Sequence, residues 1–155
     1  MIREACLSDF SAISALESQV FNMHFNARPD MIKPRDEPFS REYFESCLND
    51  EGVKIFVFEH GADILGHCIT RKVELRNHHM FYDATFLEIA DLCVDEKMRG
   101  ENIGRQLFDR AKEYAKEIGA VRLELMVWRF NENARQFYEY LGMSERISRM
   151  ELIIE

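Results

Sequence analysis

The stretch VDEKMRGENIGRQLFDRAKEYAKEIGA, residues 94–120, predicts both a local fold and a kind of binding site. From Ile103 onward, apolar residues recur at intervals of three and four, which predicts a helix with one buried face. Gly119 follows the last of these apolar residues, where helices commonly end. Gly100 and Gly104 mark a loop of small residues that opens the helix, so several backbone N–H groups there lack an intrahelical partner. A helix start of this kind is suited to bind phosphate or pyrophosphate.

Two basic residues strengthen the anion-binding interpretation of this loop. Arg99 and Arg105 flank it and can add charge-assisted contacts. It is not a Walker A loop, because no Gly-Lys-Ser/Thr follows, and it is not the dinucleotide fingerprint, because G-x-G-x-x-G is absent. Taken alone, the stretch is equally compatible with glycines that only shape a turn and a tight helix start.

The composition indicates an acidic globular protein. A chain of 155 residues predicts one domain, residues 1–155, that is large enough to bury its own core. The net charge of −8 argues against nucleic acid or an anionic membrane surface as a partner. It is compatible with cationic substrates such as amines.

The cysteines and the N-terminal segment bear on the compartment. Cys6, Cys47, Cys68 and Cys93 are widely spaced, contain no C-x-x-C pair and lie in apolar runs. This pattern predicts buried free thiols in a reducing compartment rather than disulfides or a zinc site. The N-terminal segment has no signal-peptide pattern, and no apolar run reaches membrane-spanning length. We therefore expect a cytoplasmic protein with no membrane partner, and nothing in the sequence suggests a metal.

The residues before the central stretch predict a strand and two helices, followed by three strands. Residues 1–5 form the first strand, and a helix with Ser8 as its N-cap fades near residues 23–26. Three prolines within residues 29–38 forbid a helix there, and a second helix begins near Ser40. Its predicted inward residues are Tyr43, Phe44, Cys47 and Leu48. The strands that follow, predicted as antiparallel hairpins, cover residues 53–60, 62–75 and 86–95.

After the central helix, a strand over residues 121–128 and a helix over residues 131–141 are predicted, and residues 143–154 can supply a last strand. The predicted order is β-α-α-β-β-β-α-β-α-β. The strand-helix-strand unit around the central helix predicts a right-handed parallel crossover. The fold class is therefore a mixed α/β domain whose sheet is mostly antiparallel and contains one parallel strand pair.

With these elements in place, the chain resembles the GCN5-related N-acetyltransferases, the GNAT superfamily, over essentially its whole length. R-G-E-N-I-G at residues 99–104 is similar to the family's Gln/Arg-x-x-Gly-x-Gly/Ala pyrophosphate loop. N-E-N-A at residues 131–134 runs into Phe-Tyr at residues 137–138, and Leu-Gly-Met at residues 141–143 matches the frequent Leu-Gly-Phe of the family. Asn102 occupies the position of the family's first loop glycine. Asparagine tolerates left-handed backbone and keeps the N–H that faces the phosphate.

The resemblance implies that acetyl-coenzyme A is the cofactor. It places the pyrophosphate on the amides of residues 99–105 and the pantetheine arm on the backbone of residues 92–94, where the family's strand splays from the next one. A backbone N–H near Val94 then polarises the thioester carbonyl. The implied cofactor-binding residues are Leu92, Cys93, Val94, Arg99, Gly100, Glu101, Asn102, Ile103, Gly104, Arg105, Asn131, Asn133, Ala134 and Tyr138.

The resemblance also implies the catalytic residues. An amine needs a base because it is charged at neutral pH, and some family members use a strand glutamate at the position of Glu88. Asp91 is the second candidate, and Glu88 can equally be a solvated strand carboxylate. Tyr138 matches a phenol that protonates the leaving thiolate, although its position also suits a core aromatic. Asn131 is expected to order the coenzyme arm, to cap the last helix, or both.

The acceptor is the least defined part of this interpretation. His24, Arg28 and Asp30 belong to a region that forms one wall of the acceptor site in family members, and Trp128 lies next to the expected cleft. The predicted reaction is acetylation of a primary amine of a small molecule or peptide. The alternatives are a protein N-terminal or lysine acetyltransferase and a non-catalytic acyl-CoA-binding regulatory module. A homodimer is expected, because dimerisation through the late strands is common in such folds.

Overall fold

The computed structural model describes residues 1–154, which form four α-helices and five β-strands. The strands are β1 (Ile2–Glu4), β2 (Val53–His60), β3 (Asp63–Leu75), β4 (Ala84–Val94) and β5 (Leu123–Leu125). The helices are α1 (Phe10–Ala27), α2 (Arg41–Asn49), α3 (Ile103–Glu117) and α4 (Glu132–Tyr140). No helix among residues 1–154 combines the length and the apolar character that a membrane span requires.

The five strands form one sheet in the order β1-β2-β3-β4-β5. The first four are antiparallel neighbours, and β5 runs parallel to β4. The predicted mixed α/β fold with one parallel pair is confirmed. That parallel pair is short, because only Leu87–Ile89 of β4 face Leu123–Leu125 of β5. Beyond Ile89, β4 therefore continues to Val94 with no strand beside it on that edge.

Helices cover both faces of the sheet and create two apolar layers. On one face, α1 and α2 pack Ile13 and Phe44 against Val57 and other strand residues. On the other face, α3 packs Leu107 and its neighbours against Leu87 of β4. Burial of each such side chain contributes about 1.5–3 kcal/mol, so these two layers fix the sheet between the helices.

A β-bulge at Ala90 changes which residues of β4 face which layer. Ile69 of β3 pairs with Asp91 while Thr70 pairs with Ile89, so Ala90 has no opposite residue on β3. Before the bulge, Ile89 belongs to the α3 layer, and after it the even-numbered residues of β4 pack there. Asp91 is thereby turned toward α1, where the next odd-numbered residue, Cys93, brings its Sγ within 3.5 Å of the Leu16 carbonyl.

Most predicted helix boundaries are confirmed, but the start of α1 is not. Ser40 caps α2 by accepting from the Tyr43 N–H, and Gly119, just beyond α3, has a φ of +68°. The predicted N-cap Ser8 instead lies inside a short 3-10 turn that precedes α1. The carboxylate of Asp9 holds this turn, because it accepts from the Cys6 N–H and pairs with Arg3 at 2.7 Å.

Two side chains are more exposed than the sequence predicted. Tyr43 is 42 % exposed, because its ring lies at the rim of α2 and its hydroxyl accepts from Arg71. Cys6 is also exposed, whereas the other three cysteines are buried as predicted, and all four are free. The Cys6 thiol sits in the turn before α1 and approaches the Ser8 hydroxyl rather than an apolar layer.

The last predicted strand is absent from residues 143–154, and β5 is shorter than predicted. These tail residues are held through surface ion pairs, Arg146 with Glu124 at 3.0 Å and Arg28 with Glu151 at 2.6 Å. A three-residue β5 leaves little edge for the tail to join. Its large apolar side chains remain exposed: Ile147, Met150, Leu152, Ile153 and Ile154.

Candidate active site

Along residues 90–94 of β4, no strand pairs with the edge that faces β5, and the gap left there exposes backbone groups. The Asp95 N–H donates to the Leu65 carbonyl on the β3 side at 2.9 Å. Because successive N–H groups of a strand point to opposite edges, the N–H of Val94, and before it that of Leu92, points into the gap. The structure thus brings the predicted residues 92–94 together at one open edge.

The loop before α3 has the backbone expected of an anion site. Gly100 has a φ of +88°, and Asn102, the helix N-cap, has a φ of +62°. The Asn102 side chain makes no capping hydrogen bond, and the Gln106 N–H donates to the Asn102 carbonyl at 3.2 Å. Since helical hydrogen bonds run from residue i to residue i−4, the N–H groups of residues 103–105 remain free at the positive end of α3.

The two predicted arginines flank this loop with exposed side chains. Arg99 Nε donates to the Val94 carbonyl at 3.4 Å, so Arg99 lies between the loop and the open edge of β4. Arg105 Nη1 donates to the Tyr140 hydroxyl at 3.3 Å. Glu101 is exposed in the same loop, whereas the Ile103 side chain is buried in the α3 layer. Ile103 can therefore offer an anion only its backbone.

Gly104 lets α4 approach the start of α3. A Cβ at Gly104 would lie 3.2 Å from Cζ of Phe137 and 3.6 Å from Cγ2 of Val94. The ring of Phe137 therefore occupies the space that a side chain would need. This contact joins the anion loop, the end of β4 and α4 into one packed unit.

Helix α4 carries the second predicted motif. Asn131 is its N-cap, and its Oδ1 accepts from the Ala134 N–H at 3.2 Å, so the predicted capping role is confirmed. Asn133 is exposed in the first turn. Tyr138 packs into the α3 layer beside Phe108, with ring centroids 6.4 Å apart. Burial raises the pKa of Tyr138, so its phenol is protonated at neutral pH.

On the opposite face of the sheet, Glu17 of α1, His67 of β3 and Asp91 of β4 form a cluster that the sequence analysis missed as a group. One polar side-chain atom from each of the three lies within 4.8 Å of the other two. His67 is fully buried, and its Nε2 is 2.9 Å from Oε1 of Glu17, whose side chain is 12 % exposed. The three residues come from separate elements, so no local sequence motif could reveal them.

Burial and mutual contact shift the pKa values of the two carboxyl groups in this cluster in opposite directions. Burial acts to raise the pKa of Glu17, but the hydrogen bond and charge of His67 outweigh it and leave that pKa below its usual range. Burial raises the pKa of Asp91 to about 7, and the Glu17 charge adds to the effect. A carboxyl group with that pKa exchanges a proton near neutral pH.

The cluster would also admit a cation by its spacing alone. The hydrogen bond between Glu17 and His67 already occupies one of the ring nitrogens, so a shared proton is the simpler account of the arrangement.

The first candidate base, Glu88, lies outside this cluster. It belongs to the part of β4 that is paired on both sides, with Arg71 of β3 and Glu124 of β5 as its neighbours. Ala90, the exposed residue of the bulge, separates it from Asp91. The nearby Cys93 thiol is not an alternative nucleophile, because burial raises its pKa to about 12.

The predicted acceptor residues meet at the C-terminal end of α1. The His24 ring lies 6.2 Å from that of Trp128 and 5.7 Å from that of Phe130, measured between centroids. The Arg28 guanidinium lies 5.9 Å from the Trp128 centroid and pairs with Asp30 at 2.8 Å. Burial lowers the pKa of His24, although the charge of Glu17 opposes this. His24 thus connects the carboxyl cluster to an aromatic wall.

Comparison with known proteins agrees with this arrangement. Residues 19–143 match the model of the acetyltransferase (GNAT) family. An uncharacterised N-acetyltransferase from Lactobacillus delbrueckii subsp. lactis is 25% identical over 146 residues, which are 92% of this chain and 82% of that protein. An aminoglycoside N-acetyltransferase, AAC(6')-Iy, solved in complex with CoA, shares the fold with a TM-score of 0.76 at 11% identity, covering 100% of this chain and 99% of that one.

A solved variant of the BH1408 protein from Bacillus halodurans is much more similar. It has a TM-score of 0.98 and 29% identity, covering 100% of this chain and 99% of that one. A score this high over the whole length requires that the tail after α4 follow the same course in both proteins.

Proposed function

The chain belongs to the acetyltransferase (GNAT) family, and from that premise we propose that it moves an acetyl group from acetyl-CoA to a primary amine of a small molecule or peptide. One observation carries the proposal: the open edge of β4 and the uncapped start of α3 lie side by side. The Val94 N–H points into the gap, and Arg99 reaches from the anion loop to the Val94 carbonyl.

The residues on these two elements fit acetyl-CoA. The free N–H groups of residues 103–105, with Arg99 and Arg105 beside them, suit a pyrophosphate. The unpaired edge of β4 offers the alternating N–H and carbonyl groups that the amide-bearing pantetheine arm requires. When bound, the coenzyme supplies an acyl group activated as a thioester. The Val94 N–H is then placed to polarise the thioester carbonyl.

One side of the gap carries a group that can accept a proton, and the other carries a group that can donate a hydrogen bond. Asp91 faces α1, and its pKa of about 7 suits it to accept a proton from the incoming ammonium group. Freeing a lysine-like amine at pH 7 costs about 4–5 kcal/mol, which a positioned base offsets in part. The geometry favours Asp91 over Glu88, because Asp91 lies beside the gap and carries the shifted pKa.

Tyr138 approaches from the α3 side and can donate a hydrogen bond to the departing thiolate. The amine nitrogen loses one proton to Asp91 before attack, and Asp91 later releases it to solvent. After the C–N bond has formed, the C–S bond breaks with its electron pair going to sulfur, and the sulfur takes up the second proton lost by the nitrogen. Because burial raises the pKa of Tyr138, its main contribution is a hydrogen bond rather than complete transfer of its own proton.

The acceptor side combines carboxyl groups with aromatic rings. Glu17 and Asp91 attract an ammonium group. His24, about two helical turns farther along α1, forms an apolar wall with Trp128 and Phe130. This combination favours an amine attached to an apolar or aromatic body. A protein N-terminus or lysine side chain is the second candidate, because the wall is partly open, with Trp128 and Phe130 each 37 % exposed.

The test is release of free coenzyme A from acetyl-CoA with a panel of polyamines, amino acids, arylalkylamines, aminoglycosides and short peptides. Detection should be chromatographic, because the exposed Cys6 thiol can react with a thiol dye. Turnover on one amine class identifies the acceptor. Absence of both turnover and coenzyme binding would refute the proposal.

We also propose that the protein forms a homodimer through the segment of residues 143–154. Its exposed apolar side chains lie on a stretch of backbone that makes no strand, yet the same course is found in a solved relative. The edge of β5 is too short to cover this segment within one chain, so the tail of a second copy is a suitable occupant. An ordered, exposed apolar segment needs such a cover.

Light scattering after size exclusion tests the homodimer. The full chain should have twice the mass of a monomer, and Leu152→Glu combined with Ile154→Glu should yield monomers. Tyr140→Glu, at an exposed apolar position outside the tail, is the matched control and should leave the dimer intact. A monomeric full chain would refute the proposal.

A further inference from the structure

The Glu17 and Asp91 carboxyl groups face each other across the boundary between α1 and the sheet. Their oxygens lie within 4.8 Å of one another, with the fully buried His67 completing the cluster. Two ionised carboxylates at this distance in a poorly solvated site repel each other strongly, so one of them retains a proton to higher pH. Which one retains it depends on the remaining contacts of each.

His67 decides between the two carboxyl groups. Its Nε2 is hydrogen-bonded to Glu17, while its Nδ1 is buried with no partner. Because Nδ1 has no partner, Nε2 is the ring nitrogen that contacts Glu17, and its N–H is donated to the carboxylate. Glu17 is therefore the group that stays ionised, and Asp91 is the group that can take up a proton near neutral pH.

We infer that Glu17, held by His67, is a positioning residue that makes Asp91 a stronger base toward the acceptor amine. This inference rests on the proposed function, because Asp91 must accept the amine proton. In that step an N–H bond of the ammonium group breaks and an O–H bond forms on Asp91. The nearby negative charge of Glu17 favours this O–H bond, and the neutral amine then attacks the thioester.

Other titratable groups also surround the cluster. Cys93 of β4 lies on the same face as Asp91, with Asp95 and Arg99 near it, and His24 of α1 acts on Glu17. Cys68 of β3 and Tyr138 of α4 lie in the α3 layer, on the other face of the sheet. The buried thiols and the phenol are protonated at neutral pH, because burial raises the pKa of each of them. Glu17 is thus the negative charge closest to Asp91 that a single substitution can remove without altering the gap.

The test is the pH dependence of kcat/KM for the wild type and Glu17→Gln with one accepted amine. The glutamine side chain preserves the shape and removes the charge, so the acid limb of the profile should move at least one pH unit lower. The rate above pH 8 should fall about tenfold because the base is weaker. Ser18→Ala, on the same helix but outside the cluster, is the matched control and should keep the wild-type profile. A Glu17→Gln profile that superimposes on the wild type overturns the inference.

A second measurement does not depend on activity. The carboxyl carbon of Asp91 can be followed by NMR in protein labelled with 13C-aspartate, and its titration midpoint should fall in Glu17→Gln and return toward the wild-type value in Glu17→Asp. An unchanged midpoint overturns the inference even if turnover is lost.

Two further variants separate the inference from the proposed function. If Asp91→Asn keeps wild-type rates, Asp91 is not the base and the proposed mechanism fails. If Asp91→Asn is inactive while Glu17→Gln has the wild-type profile, only the role of Glu17 fails. Loss of activity after dialysis against EDTA, restored by a divalent metal ion, would show that the cluster binds a cation and would also overturn the inference.

Discussion

Replacing Asp91 with asparagine should make the protein more stable at alkaline pH while removing its activity. The pKa of Asp91 is raised to about 7 in the folded protein, from 3.8 in the unfolded reference. A carboxyl group with a raised folded-state pKa favours the folded state at low pH, and this contribution is lost as pH rises through the folded value. The wild type therefore loses stability as the pH rises toward 7, whereas Asp91→Asn, which has no carboxyl group at this position, does not lose this contribution.

The magnitude follows from the two pKa values. Between pH 5 and pH 8, a single group with these values lowers the free energy of unfolding by about 2.5 kcal/mol, since each pKa unit is worth about 1.4 kcal/mol. Glu17 contributes little in this window because its pKa lies below the usual range. His24, whose pKa is lowered, acts in the opposite direction in both proteins. Because the His24 contribution is the same in both proteins, it cancels when the free energy of unfolding of the wild type is subtracted from that of the variant.

Urea unfolding followed by circular dichroism at pH 5, 6, 7 and 8 measures this difference. The stability advantage of Asp91→Asn should grow by about 2.5 kcal/mol from the lowest to the highest pH. Ala90→Ser, at the neighbouring bulge residue, changes no charge and should parallel the wild type. If Asp91→Asn also runs parallel within about 0.5 kcal/mol, the buried carboxyl does not titrate as described and the argument for it as base collapses.

Three further substitutions test the gap and its surroundings. Gly104→Leu should weaken acetyl-CoA binding at least tenfold, because a Cβ there lies 3.2 Å from Phe137, and calorimetry showing unaltered affinity would refute the assignment of the anion loop. Tyr138→Phe should lower kcat by roughly 10²-fold and leave the coenzyme Kd within a factor of about two, whereas an unchanged kcat removes the phenol from the mechanism. Gly66→Ala should destabilise the fold by about 1–3 kcal/mol in urea unfolding, because its Cβ would lie 2.8 Å from the Cys93 carbonyl. At Gly52, an added Cβ meets the flexible Asp50 side chain at 3.2 Å and the Lys72 carbonyl no closer than 4.0 Å, so Gly52→Ala should cost less, and equal losses would argue against the close approach at Gly66.

The sequence predicted those features that local chemistry determines. The helix that begins at Ile103 and the turn at Gly119 are confirmed, because apolar spacing and a left-handed glycine are local signals. The left-handed Asn102 is confirmed for the same reason. The extent of β2, Val53–His60, matches the prediction because β-branched and aromatic residues occupy most of its positions up to Phe58.

Features that depend on tertiary contacts could not be predicted in this way. The apolar pattern after Gly142 resembles a strand, but a strand needs an edge to pair with, and the edge strand β5 offers residues 143–154 only three residues. Asp9 displaces Ser8 at the start of α1 because Arg3 of the neighbouring strand binds it. Asp91 was only a second candidate, because nothing in the sequence around Glu17 or His67 indicates that these residues lie beside it.

The unpaired residue Ala90 shifts the side-to-side alternation of β4, so that every residue after it faces the side of the sheet opposite to the one its number would predict. Upstream of it, odd positions belong to the α3 layer, and downstream the even positions do. If Ala90 took a regular place in the ladder instead, the two sets would be exchanged, so that a carboxyl group would enter an apolar layer and Leu92 would face Glu17. The orientation of Asp91 and that of the residues along the open edge therefore both depend on this bulge. Any redesign of this strand must treat residues 84–89 and 91–94 as two separately patterned segments.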